Sequence, residues 1–157
     1  MFETIKQLIY RPVIIDSKWK KGILALSSVG LLDTGYLTYS HYEAAILKCF
    51  GMTVVNSCQV VTESIYSTIL GVPVAVIGLA FYLFIFVTTI LSFKSKYNFL
   101  LNLFLPLTGL AVLMSLRLVY LQISVIQYIC YYCMLSATLS LLLFIISGII
   151  YKKINKI

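Results

Sequence analysis

Four cysteines carry the chemistry open to this sequence, and two of them, Cys130 and Cys133, form a Cys-Tyr-Tyr-Cys motif at the mouth of the last long apolar segment. Side chains three apart on a nascent helix share a face, and a helix N-terminus stabilises the thiolate, the reacting form of the sulfur. The pair therefore reads as a redox dithiol. The same spacing serves zinc sites and redox motifs on many folds, so its position at a membrane boundary is what sharpens the reading. The other two, Cys49 and Cys58, are separated by eight residues. Structural zinc prefers closely spaced ligand pairs, so no metal is expected. Ser57 is a credible N-cap that would set Cys58 in the first turn of a short helix, a good place for a thiolate or a leaving sulfur in disulfide exchange. The plainer alternative is a structural Cys49–Cys58 bond that braces its loop.

These sulfurs must be positioned by apolar helices. Of 157 residues, 61% are hydrophobic and 11% charged, and the mean hydropathy is +1.02, far outside soluble usage. Four apolar stretches, at about 22–41, 72–91, 99–121 and 130–150, reach the ~20 residues needed to cross a ~30 Å hydrocarbon core. The expected fold is all-α: an integral membrane four-helix bundle in one domain over 1–157, with a leading segment 1–21 and an outer cysteine loop 42–71. The net charge of +7 does not point to nucleic acid, because its distribution follows the spans. Lys6, Arg11, Lys18, Lys20, Lys21, Lys94, Lys96, Lys152, Lys153 and Lys156 all fall on one side, leaving only Lys48 and Arg117 elsewhere. The positive-inside rule then sets both termini in the cytoplasm of a multi-pass protein of the cell (inner) membrane, among membrane lipid. All four cysteines face outward, where disulfides persist.

Other residues qualify this frame. Phe2, Ile5, Leu8 and Ile9 have helical spacing and suit a short helix on the inner leaflet. The first span lacks a small-residue cleavage site and is expected to stay in the mature protein. Asp33 within it is expected to hydrogen-bond a Tyr, Ser or Thr of a neighbouring helix, the alternative being a functional carboxyl. His41 at the outer boundary is either solvated or a proton relay. Residues 42–70 are too apolar for an ordinary exposed loop and should fold down over the bundle, with Val61, Ile65, Tyr66 and Ile69 at helical spacing. Pro73 suits the first turn of the second span, and Gly71, Ala75 and Gly78 offer close helix approach. Pro106 should kink the third span, or be tolerated in packing. Arg117 either snorkels, pairs with an acid such as Asp33, or contacts a quinone carbonyl or a partner. Tyr36, Tyr39, Tyr42, Tyr66, Tyr120, Tyr128, Tyr131 and Tyr132 cluster at the outer ends, mostly as an interfacial belt, with one or two free to line a pocket for a flat ring.

This arrangement resembles the vitamin K epoxide reductase family, specifically its single-domain prokaryotic members. The matching pieces are Tyr36-Leu37-Thr38-Tyr39 closing the first span, the outer pair Cys49 and Cys58, Ser64 six residues on, and Gly71-Val72-Pro73-Val74-Ala75-Val76-Ile77-Gly78 opening the second span. Cys130-Tyr131-Tyr132-Cys133 with Ser136 and Ala137 completes the set. The resemblance, over roughly 22–150, implies a four-helix bundle around a quinone of the ubiquinone or menaquinone class, covered by a half-helix lid. It implies a thiol oxidase in which Cys49 meets a thioredoxin-like partner, Cys58 passes electrons to Cys130, and Cys133 lies next to the quinone ring. Ser64 would hydrogen-bond a quinone oxygen, with Tyr131, Tyr132 and Arg117 as further ring contacts. The animal enzymes carry a tyrosine four residues after the second cysteine of the motif, where this chain has Ala137, so quinone reduction is expected rather than epoxide reduction. Relatives often carry a fused thioredoxin-like domain; here the thiol partner is expected to be a separate protein outside the cytoplasm. Three alternatives stand beside this reading. One is a quinone-recycling reductase, and another is the other four-span disulfide-forming family, whose cysteine order is reversed. The third is a small transporter or structural membrane protein whose disulfides only brace its outer face.

Overall fold

The computed structural model describes residues 17–42, 57–94 and 103–155. Residues 43–56 of the outer loop, with Lys48 and Cys49, and the leading segment 1–16 lie outside the described residues. Helix α1 (Ser17–Tyr42) buries Ile23, Ser27, Gly30, Asp33, Thr34, Leu37 and Ser40, a stripe that returns every three or four residues as one helical face must. Its hydroxyls donate back to carbonyls one turn earlier, Thr34 to Gly30 O at 2.7 Å and Thr38 to Thr34 O at 2.7 Å. That pairing lets polar side chains sit in apolar surroundings without an orphaned hydrogen.

A short helix α2 (Ser57–Thr62) follows the undescribed loop and ends sooner than the spacing of Ile65, Tyr66 and Ile69 predicts. The chain passes instead through a 3-10 turn, Ile65–Ser67, into a two-stranded hairpin. Strands β1 (Thr68–Ile69) and β2 (Val72–Pro73) pair antiparallel, with Thr68 opposite Pro73 and Ile69 opposite Val72. The two-residue turn needs positive φ at both positions, and Leu70 (φ 53°) and Gly71 (φ 80°) supply it. The second span therefore starts at Val74, with Pro73 in the strand before it rather than in its first turn.

Helices α3 (Val74–Lys94), α4 (Phe104–Leu121) and α5 (Tyr131–Asn155) are each long and apolar enough to cross a membrane. The sequence predicts four such spans. α1 has the length, at 26 residues, but Asp33 and its hydroxyl residues dilute its apolar character, so only three helices meet that standard among the described residues. Pro106 does not kink the third span. It lies in the first turn of α4, where a backbone N–H would have no intrahelical partner in any case.

Packing follows from small residues and a few polar ties. α1 runs antiparallel to α3: Lys20 Nζ donates to Ser92 O at 2.7 Å, and nearer the cysteine end Gly30 faces Tyr82 and Thr34 faces Gly78. Gly30 touches the Tyr82 ring so closely that any Cβ there would collide with it. α4 and α5 form a second antiparallel pair, with Gly109 against Phe144 and Ser115 Oγ 3.1 Å from Ser140 Oγ. α1 also packs on α5, and Tyr82 Oη donates to Ser136 O at 2.9 Å, tying α3 to α5. One buried cluster, Ile23, Tyr82, Ile85, Phe104, Leu139, Leu143 and Ile150, fills the end away from the cysteines. α3 and α4 do not pack on each other to a comparable extent, and the space between them is a cavity.

Candidate functional site

Above that core, a second buried cluster gathers Leu37 of α1, Cys58 and Val61 of α2, and Cys130, with Ala75, Ile126, Tyr132 and Cys133 packed around it. Cys58 and Cys130 are both fully buried. Cys58 is disulfide-bonded, whereas Cys130 and Cys133 are free thiols. Sulfurs from two distant stretches of sequence thus share one apolar compartment sealed from bulk water. Cys49 lies outside the described residues.

The Cys130–Cys133 turn is built by the end of α4. After Leu121 the helix widens into a π-turn, Gln122–Ile126, and Gln127 (φ 58°) reverses the chain toward α5. Cys130 precedes the first helical residue, and its carbonyl accepts the first bond of α5, from Met134 N at 3.0 Å. Two amides fix the motif. Cys133 N donates to Cys130 Sγ at 3.2 Å, and Cys130 N donates to Gln122 Oε1 at 3.0 Å. The first of these places a hydrogen-bond donor where negative charge would collect on the sulfur.

Cys133 opens onto the cavity, which encloses about 530 Å³ between α1, α2, the hairpin, α3, α4 and α5. Its walls are mostly apolar, from Leu37, Ile77, Phe81, Leu107, Leu118 and Ile126 among others, and Ser64, Gln122, Ser136, Arg117 and His41 are among its polar points. The volume falls within the ~300–1,000 Å³ of small-molecule sites. Of the residues that sequence singles out, Cys133, Ser64 and Arg117 line this cavity. Tyr131 and Tyr132 do not: Tyr131 is exposed, and Tyr132 packs at a tilt against Tyr36 with ring centroids 5.3 Å apart. Ser64 is less available than its position suggests, because its hydroxyl already donates to Val61 O at 2.8 Å.

Asp33 departs from expectation. It is 6% exposed, and neither carboxyl oxygen has a hydrogen-bond partner among the described residues. The hydroxyls around it bond to their own helices instead. Two contributors escaped the sequence reading altogether. Tyr82, a phenol in the middle of the most apolar span, was visible as an anomaly; Gln122 had only its place at the end of α4 to mark it.

No curated protein matches this chain. The sequence model of the Vitamin K epoxide reductase family matches residues 22–148, a region holding Cys58, Cys130, Cys133 and the whole cavity wall. That match covers most of the 157 residues. It agrees with an all-helical bundle whose buried dithiol opens on a cavity, and the chain belongs to the vitamin K epoxide reductase family of membrane oxidoreductases.

Proposed function

We propose that this protein is a thiol oxidase that makes disulfides in a separate thioredoxin-like partner and delivers the electrons to a membrane quinone. The observation that carries the reading is the line of sulfurs: Cys58 and Cys130 in one buried cluster, and Cys133 on the wall of the ~530 Å³ cavity beside them. Cys49 and Cys58 serve as the shuttle pair in this reading, and Cys130 and Cys133 as the pair next to the acceptor.

Each step is an exchange in which one S–S bond breaks as another forms. The partner's two thiols reduce the Cys49–Cys58 disulfide and become a disulfide themselves. Cys58 thiolate attacks Cys130 of the Cys130–Cys133 disulfide, releasing Cys133 toward the cavity. Cys49 then attacks Cys58, releasing Cys130, whose leaving charge is stabilised by the Cys133 amide. The cavity suits a flat, largely apolar ring: its walls are mostly hydrocarbon, and Cys133 and several polar side chains share its lining. A quinone bound there supplies the sink for two electrons and two protons as Cys130 and Cys133 re-form their disulfide. Arg117 and the walls of α3 and α4 would hold it, and Ser64 would do so only by giving up its bond to Val61 O.

Free thiols at Cys130 and Cys133 weigh against the bracing alternative, since an unbonded pair braces nothing. The test is thiol mass-tagging of purified protein mixed with a reduced thioredoxin-like protein, with and without a soluble quinone. Quinone should restore the disulfides in step with partner oxidation, and Cys133→Ala should abolish this. Disulfides that neither exchange nor respond to quinone would overturn the reading.

A further inference from the structure

A quinone carbonyl can only accept hydrogen bonds, so whatever holds it must offer a donor, and most donors on this cavity wall are already spent. Ser64 donates to Val61 O at 2.8 Å, Thr34 to Gly30 O at 2.7 Å, Thr62 to Cys58 O at 2.9 Å, Ser140 to Ala137 O at 2.8 Å and Tyr82 to Ser136 O at 2.9 Å. Arg117 is an exposed residue of the cavity lining.

Gln122 is different. It lines the cavity yet is only 2% exposed, and a carboxamide so buried is costly unless it is bonded. One end is committed: Oε1 accepts from Cys130 N at 3.0 Å. A backbone amide only donates, so this bond fixes which end of the carboxamide is oxygen and leaves Nε2 as the other. Neither hydrogen of that Nε2 has a partner among the described residues, and the atom is not among the sealed, unbonded ones, where only the Asp33 oxygens stand. What accessibility remains to so buried a residue opens on the cavity. The π-turn that begins at Gln122 is the kind of helix irregularity that recurs at functional sites.

We propose that Gln122 is a bridging residue, gripping the Cys130 amide with its carbonyl and donating from Nε2 to a carbonyl oxygen of the quinone. The inference rests on the quinone reading given above and deepens it. One side chain then fixes both the Cys130–Cys133 turn and the ring that must meet it, so acceptor and dithiol keep a common register. Gln122 itself transfers neither electron nor proton. Its donor strengthens as charge gathers on the oxygen it holds, so it favours the electron-accepting event as well as binding.

The test compares equilibrium binding of 2-methyl-1,4-naphthoquinone with that of 2-methylnaphthalene, the same ring system without carbonyls, to the full chain in lipid nanodiscs. The wild type should prefer the quinone, and Gln122→Met should cut that preference about tenfold, in line with the loss of one buried hydrogen bond, while hydrocarbon binding holds. Gln122→Asn, one methylene shorter, should do the same and guards against a variant that fails to fold. Iodoacetamide trapping of Cys133 without quinone should change severalfold in Gln122→Met, because the Cys130 amide loses its anchor. A preference unchanged in both variants overturns the bridge while leaving the oxidase reading intact. A wild type that binds neither probe overturns the cavity as a quinone site, and the bridge with it.

Discussion

At the scale of single residues, the site is a contrast between polar groups that are satisfied and two that have no partner among the described residues, the Asp33 carboxyl and Gln122 Nε2. Serine and threonine hydroxyls along α1, α3 and α5 return their hydrogens to their own helices, so the bundle carries them at little cost. Asp33 has no such outlet. A buried polar group left without a hydrogen bond costs about 1–3 kcal/mol, and an ionisable one at membrane depth costs about as much again or more. Asp33→Ala removes both unpaired oxygens for a small loss of packing, so it should raise stability by about 1–3 kcal/mol, read as a higher melting temperature in detergent. A lower melting temperature would mean that a segment beyond the described residues bonds the carboxyl. Sequence could flag Asp33 as anomalous but could not assign its partners, since nothing local says whether neighbouring hydroxyls turn toward it or toward their own backbone. Gln122 was harder still. Its importance comes from a bond to an amide eight residues away across a π-turn, and a polar residue at the end of an apolar stretch is otherwise unremarkable.

Elements explain how those residues are held. The close approach of α1 and α3 at Gly30 presses Tyr82 into the bundle, where its hydroxyl reaches Ser136 just beyond the Cys130–Cys133 motif. Gly30→Ala should therefore act at a distance. Its methyl collides with a fully buried ring that cannot swing aside, costing about 1–3 kcal/mol for overpacking and about 1 kcal/mol more if the Tyr82–Ser136 bond breaks. Thermal melts of Gly30→Ala, Tyr82→Leu and the double variant form a cycle that should be strongly non-additive, with the double variant more stable than the two losses predict. Simple additivity would mean the ring is not the obstacle. The helices themselves were legible from apolar length alone, and α5 starts within one residue of its expected boundary. The prolines were not. Pro73 and Pro106 were read against spans that begin earlier than the real helices, and a boundary shift of a few residues turns a kink into a harmless first-turn position. The hairpin was missed because four strand residues around Leu70-Gly71 are too few to display an alternation.

The whole molecule is polarised along its helices. Lys18, Lys20 and Lys21 begin α1 at the end where α5 closes with Lys152 and Lys153, and the Lys20–Ser92 bond pins the end of α3 to the same level. Cys58, Cys130, Cys133, the hairpin and the cavity gather toward the opposite end. Large side chains such as Leu32, Leu113 and Leu116 point outward over the length between, an apolar surface suited to lipid rather than to water. Orientation then decides the chemistry. With the basic end in the cytoplasm, the dithiol faces a compartment where disulfides last, and electrons leave through the membrane; inverted, the same sulfurs would meet a reducing cytosol. Glu63 is exposed on the cysteine side and Lys152 is exposed at the basic end, so each can report its compartment. In intact cells an impermeant maleimide should label Glu63→Cys at once and Lys152→Cys only after permeabilisation, in a background where the native thiols are blocked. The reverse pattern would put the dithiol inside and remove the reason for a disulfide-forming role. A third labelling site tests whether α1 crosses. Its polar stripe makes it the least apolar of the long helices, and only packing against α3 and α5 hides that stripe from lipid. Lys18, exposed at the start of α1, is separated from Glu63 by that helix alone, so Lys18→Cys should label only after permeabilisation; labelling of Lys18→Cys and Glu63→Cys from the same side would mean that α1 lies along the membrane surface, in conflict with its antiparallel contact with α3.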